Sequence, residues 1–108
     1  MANGLLFISG QIALDPIDGT IYKGDIATET GRVMQNLKGI LTAAGLDFSN
    51  VVKTTIFLMD MGQFAAVNEV YGTYFDAANA PARETVQVAG LPRGVNVEIS
   101  MIAAASQG

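Results

Sequence analysis

Pro81-Ala82-Arg83-Glu84-Thr85-Val86-Gln87-Val88-Ala89-Gly90-Leu91-Pro92-Arg93-Gly94-Val95-Asn96-Val97-Glu98-Ile99-Ser100-Met101-Ile102 decides the architecture. Two runs rich in β-branched residues, Thr85 to Ala89 and Val95 to Ile102, flank Gly90-Leu91-Pro92-Arg93-Gly94, whose glycines and proline favour a reversal. The stretch reads as a closing hairpin of two strands. Upstream, Gln63 to about Ala77 carries Phe64, Val67, Tyr71, Tyr74 and Phe75 on one helical face. Val51 to Met59 is a β-branched and aromatic run ended by Asp60-Met61-Gly62, and so a strand. Between Ile26 and Ala44 the apolar residues recur three and four apart, with Asp25 placed to cap the start and Gly45 the end, which predicts an amphipathic helix. Leu5 to Leu14, then the turn chemistry of Asp15-Pro16 and Asp18-Gly19 before Thr20-Ile21-Tyr22, reads as a hairpin-like start. The expected order β, β, α, β, α, β, β gives an α/β (α+β) fold, a mixed sheet with both helices packed on one face. The strands carry apolar residues at both parities and no third helix exists to cover the other face. A second subunit is the economical cover.

At 108 residues the chain is expected to be a single domain, 1–108. Half of it is hydrophobic and 15% is charged, more apolar surface than one small sphere can hide, which again points to self-association. Ten acidic against six basic residues give a net charge of −4, which repels phosphate backbones and anionic bilayers, so neither nucleic acid nor membrane is an expected partner. With no cysteine and no histidine there are no disulfides, thiolate nucleophiles, imidazole bases or Cys/His metal sites. Phosphate-cradling glycine loops and a calcium loop are also absent, so no metal or nucleotide cofactor is implied. The amino terminus lacks a basic leader and no run approaches the ~20 apolar residues of a membrane helix, so a soluble, cytoplasmic protein is expected.

Chemistry must then come from residues such as Arg83. A lone arginine is ordinarily a solvated charge or a weak ion pair worth under ~1 kcal/mol. Here Ala80-Pro81-Ala82 supplies a stiff approach of small residues, so the guanidinium at the mouth of the strand can be held in one place, where its planar fork matches a carboxylate. Glu98 projects from the strand face opposite Val97 and Ile99. On an exposed face it is a surface residue; on a face covered by a partner it needs a hydrogen-bonding group or a water, and becomes a candidate for activating that water. Ser9-Gly10-Gln11 reads either as a β-bulge or as a place where a ligand or neighbouring chain lies against Gly10. Asn68 sits on the polar side of the second helix, by default a surface residue.

Pro81-Ala82-Arg83 with Val86, Val88, Leu91-Pro92 and Val97-Glu98-Ile99 resembles the signature of the RidA/YjgF family, the reactive intermediate deaminases. The likeness continues through Phe7-Ile8-Ser9-Gly10-Gln11-Ile12, Asn36-Leu37, Ala44-Gly45, Val52-Lys53-Thr54-Thr55 and Phe64-Ala65-Ala66-Val67-Asn68, over nearly the whole chain. The resemblance implies a chorismate-mutase-like fold assembled as a homotrimer, with a central β-barrel and three clefts between subunits. It further implies cofactor-independent hydrolysis of enamines and imines such as 2-iminobutanoate and 2-iminopropanoate to 2-keto acids and ammonia. By position, Arg83 would clamp the substrate carboxylate, backbone groups at Thr85 and the Glu98 carboxylate would hold the attacking water, and Ser9, Gly10 and Asn68 would line or support the pocket. Three departures stand out. The family usually carries a leading Pro-Tyr-Ser-Gln segment whose tyrosine helps close the pocket, whereas Met1 here stands almost on the first strand. Glu84 follows the arginine, although strand alternation points it away from Arg83. Thr85 replaces a cysteine, which a backbone contact tolerates. The competing expectations are a non-enzymatic trimer binding carboxylate metabolites or proteins in the same clefts, and a ribonuclease, which the acidic charge and the lack of a basic or aromatic platform oppose.

Overall fold

The computed structural model describes residues 2–105. Strands β1 (Leu5–Gln11), β2 (Val51–Leu58), β3 (Ala82–Gln87) and β4 (Val97–Ala104) form one mixed sheet in the order β1-β4-β2-β3. Helices α1 (Ile26–Ala43) and α2 (Phe64–Gly72) join β1 to β2 and β2 to β3. β2 and β3 run parallel, as the intervening helix requires, while β4 runs antiparallel to both of its neighbours.

Periodicity explains the packing. In β4 the burial alternates strictly, with Val97, Ile99, Met101 and Ala103 buried and Glu98, Ser100, Ile102 and Ala104 half-open. The buried set joins Ile56 and Leu58 of β2, Ile8 of β1, Val33, Met34, Leu37 and Leu41 of α1, and Val67 and Tyr71 of α2 in one core. Both helices therefore cover the same face. Asp25 caps α1 by accepting the Thr28 N–H at 2.8 Å, and Gly45, at φ 76°, follows its end. On the opposite face the apolar parity stays open: Phe7 is 60% exposed and Val86 41%. Among the described residues no helix is long and apolar enough to cross a membrane.

Three expectations need correction. Residues 20–22 form no strand; Ile21 makes only an isolated bridge with Leu14. The last two strands are not a hairpin, because β4 lies between β1 and β2 while β3 pairs only with β2. The connection, residues 88–96, is longer than the two to five residues that close a hairpin. It carries the chain across the end of β2, with Val88 N–H bonded to the Leu58 carbonyl, Met59 N–H to the Asn96 carbonyl, and Arg93 and Gly94 both at positive φ. Finally, α2 ends at Gly72 rather than near Ala77, and β3 begins at Ala82, so Arg83 is inside the strand and not ahead of it.

One buried polar contact fixes where β4 starts. Glu29, 2% exposed in the first turn of α1, accepts the Asn96 and Val97 N–H groups at 2.8 and 3.1 Å and the Asn96 side-chain amide at 2.9 Å. A buried carboxylate with three donors is satisfied, and it locks helix to strand.

Candidate functional site

Register determines what Arg83 meets. It is opposite Thr54 in the β2–β3 pairing, and Thr54 is buried beneath the helices, so Arg83 lies on the helix-covered face. Its guanidinium stands over two rings of α2, 5.2 Å from the Phe64 centroid and 5.8 Å from that of Tyr71, and Nη1 donates to Thr85 Oγ1 at 3.1 Å. Stacking of this kind orients a cation while leaving its N–H groups in plane for a planar anion. The platform is itself anchored. The Tyr71 hydroxyl donates to Thr54 Oγ1 at 3.0 Å, and the Gln87 side-chain carbonyl accepts the Met61 N–H at 2.8 Å, tying the end of β3 to the turn that opens α2. Burial pushes the Tyr71 phenol above its ordinary range, while the Thr54 hydrogen bond and the Arg83 charge pull the other way.

Asn68 follows Phe64 by four residues and precedes Tyr71 by three, so it stands in the same row of α2 as the two rings, half-buried. Thr85 contributes its hydroxyl to Arg83, as just described. Its backbone groups face the other way from the ladder: Val88 N–H donates to β2, so by alternation the N–H and C=O of Thr85 look out along the free edge of β3. Glu84 points to the open face, where its carboxylate meets Lys53 Nζ at 3.1 Å; this exposed pair keeps it from Arg83.

Glu98 belongs to a second constellation. It pairs with Phe57 across the sheet and lies on the open face, separated from Arg83 by β2 and by the sheet itself. The β1–β4 register slips by one residue between Ile8 and Gln11, which is a bulge at Ser9-Gly10. Gly10 is necessary there, since a Cβ would overlap the Glu98 carboxylate that rests on it. Gln11 Nε2 donates to the Ser9 carbonyl at 3.1 Å and steadies the bulge. A single chain thus holds two half-sites, Arg83 with Thr85 and Asn68, and Glu98 with Ser9 and Gly10. It does not bring them together.

The sequence model described as Endoribonuclease L-PSP matches residues 1–105. The chain belongs to the RidA/YjgF family. Among its RidA/YjgF relatives is Protein DfrA of Myxococcus xanthus, 58% identical over 94% of this chain and 77% of the relative. The 2-iminobutanoate/2-iminopropanoate deaminase of Mus musculus is 52% identical over 91% of this chain and 72% of its own length. Among solved structures, Escherichia coli TdcF with bound serine superposes with a TM-score of 0.89 at 40% identity, covering 98% of this chain and 84% of TdcF. The RidA/YjgF fold is therefore that of this chain, a four-stranded mixed sheet with two helices.

Reading the sequence alone missed the roles of Phe64 and Tyr71, which looked like core. Their spacing of seven on α2 was the available signal, but only the β2–β3 register shows Arg83 above them. Glu29 was also missed, although it falls on the apolar stripe, three residues after Ile26 and four before Val33, where an acid is out of place. Among the described residues no group of three or more Asp, Glu, His or Cys side chains is arranged to hold a metal ion.

Proposed function

We propose that this protein hydrolyses small 2-imino acids and their enamine tautomers, with 2-iminobutanoate and 2-iminopropanoate as the model substrates, to 2-keto acids and ammonia without a cofactor. The observation that carries the reading is Arg83, an exposed guanidinium placed over Phe64 and Tyr71 with a single side-chain acceptor engaged. Identity near half of all positions to proteins named for this activity supports it, as does an amino acid bound to a related fold.

The reaction takes place in clefts between copies of a cytoplasmic homotrimer whose open sheet faces line a central barrel. Supporting this are the uncovered apolar parity, with Phe7, Val86 and Val52 exposed, and the two half-sites on opposite faces of one chain, which only a neighbour can unite. Arg83 grips the substrate carboxylate bidentately. Glu98 of the adjoining copy, with the outward backbone groups of Thr85, holds a water and takes its proton as the oxygen attacks the imine carbon. That proton passes to nitrogen to give the neutral carbinolamine; Glu98 then takes the remaining hydroxyl proton and delivers it to nitrogen as well, so the C–N bond breaks and ammonia leaves as the keto group forms. Ser9, Gly10 and Asn68 shape the walls. An imine carbon is already electrophilic, so orientation and a placed water suffice.

The test adds the protein to imine freshly generated by an amino-acid oxidase or dehydratase and follows release of keto acid and ammonia. Acceleration that disappears in Arg83→Ala is the expected result. An Arg83→Ala variant with full activity would refute the assignment, and Arg83-dependent binding of 2-ketobutanoate with no turnover would identify a carboxylate-binding trimer instead.

A further inference from the structure

The helix-covered face of the sheet is largely apolar and buried, except along β3. Arg83, Thr85 and Gln87 alternate onto that face, opposite the buried Thr54, Ile56 and Leu58, yet Arg83 and Gln87 are exposed and Thr85 only half-buried. They form a strip of guanidinium, hydroxyl and amide beside α2. The acid of this strand, Glu84, faces the other way and is paired with Lys53.

Gln87 has a defined orientation. Its side-chain carbonyl accepts the Met61 N–H at 2.8 Å, and among the described residues its amide makes no other hydrogen bond. A backbone N–H can only donate, so the oxygen is held at Met61 and the NH2 group is turned away from it with both donors unengaged. Successive side chains on one face of a strand are about 6.6 Å apart, and the guanidinium leans to Thr85, with Nη1 3.1 Å from Oγ1. A carboxylate gripped by Arg83 therefore lies roughly one such step from the Gln87 amide. An extended chain of four carbon–carbon bonds covers about 5 Å of it, and a terminal carbonyl oxygen most of the rest. The Phe64 ring, beside the guanidinium and three residues on from Met61, gives the intervening carbons an apolar surface. Asp60, which precedes Met61 and accepts the Gly62 N–H at 2.8 Å, puts a negative charge at the Gln87 end of the strip. A neutral acceptor suits that end better than a second carboxylate.

Resting on the imine-hydrolysis reading above, we propose that Gln87 is a specificity-determining residue that selects 2-imino acids with an uncharged hydrogen-bond acceptor three carbons beyond the imine carbon. Its NH2 group donates to that acceptor while Arg83 holds the carboxylate.

The test titrates the whole protein calorimetrically with three 2-keto acids, which keep the carboxylate and carbon chain of the corresponding imines. They are 2-ketobutanoate, the 5-methyl ester of 2-oxoglutarate, and 2-oxoheptanoate, which matches the ester in chain length without its carbonyl oxygen. One added hydrogen bond should make the ester bind about threefold to tenfold tighter than 2-oxoheptanoate. Gln87→Glu keeps an acceptor for the Met61 N–H but replaces the donors, and should erase or invert that preference. Gln87→Leu should erase it as well. The proposal is overturned by equal affinity for the ester and 2-oxoheptanoate in the parent, or by a preference that survives both substitutions. A loss shared equally by all three acids, with the preference intact, would reduce Gln87 to an anchor for α2. 2-Ketobutanoate is too short to reach Gln87 and reports Arg83 alone, so its failure to bind would instead remove the carboxylate grip on which the imine-hydrolysis reading stands.

Discussion

The two half-sites hold their charges by opposite means. Arg83 is oriented by its own subunit: two rings of α2 beside it, a threonine at one nitrogen, and a tyrosine hydroxyl pinned to Thr54. Glu98 is oriented by an absence, the missing Cβ of Gly10, on a sheet face that none of the described helices covers. A cation on a long flexible stem loses much rotamer freedom when fixed, so its platform must be built in advance. A carboxylate on a strand is already aimed by the pleat and needs only room. The two corners are therefore expected to fail differently when perturbed.

The largest effect is expected from Arg83→Ala. Two charge-assisted hydrogen bonds at about 1.5–3 kcal/mol each amount to a loss in kcat/KM on the order of a thousandfold, with the thermal midpoint little changed. Glu98→Gln keeps the shape but not the base, and should lower kcat by about a hundredfold with KM nearly constant. A fall in substrate affinity instead would place Glu98 on the binding side. Gly10→Ala sharpens the contrast. The added methyl overlaps the Glu98 side chain from its carboxylate back to Cγ, so Glu98 must swing aside, the water is lost and activity should drop by roughly tenfold or more. Unfolding without a kinetic change would show the bulge to be purely structural.

Tyr71→Phe should keep the ring under Arg83 while leaving the Thr54 hydroxyl buried without its donor, costing about 1 kcal/mol of stability and little activity. Denaturant unfolding beside steady-state kinetics separates the two. The smallest effect comes from acid. Asp25 is held below the usual carboxylate range by the Thr28 N–H first, then the Thr28 hydroxyl and the Tyr22 hydroxyl. Its folded value being the lower one, the contribution is present above about pH 3.9 and disappears as pH falls through that lower value. A thermal midpoint in Asp25→Ala that falls with acid as steeply as in the parent would contradict the capping role.

Much of this was legible in residue order. The helical repeat of Ile26 to Ala44, the β-branched run from Val51 and the alternation of Val97, Ile99 and Met101 each encode their partners locally, through periods of 3.6 and 2. The likeness of Arg83, Glu98, Ser9, Gly10 and Asn68 to a family pattern was visible in the same way. The place of β4 between β1 and β2 was not, because residues 88–96 look like any reversal and nothing local says that the next strand must cross β2. Thr20-Ile21-Tyr22 had the composition of a strand but found no second neighbour with which to extend its one bridge.

By itself the sequence determined where the main helices and strands lie, which of their faces are apolar, and that thiol, imidazole and Cys/His-bound metal are not among its chemical groups. Those properties follow from side-chain identity and spacing along one chain. Tertiary structure alone decided that Arg83 rests on Phe64 and Tyr71, that Glu98 rests on Gly10, and that the sheet stands between them. Strand order and register depend on pairing between segments far apart in the chain, where a shift of one residue moves a side chain to the other face.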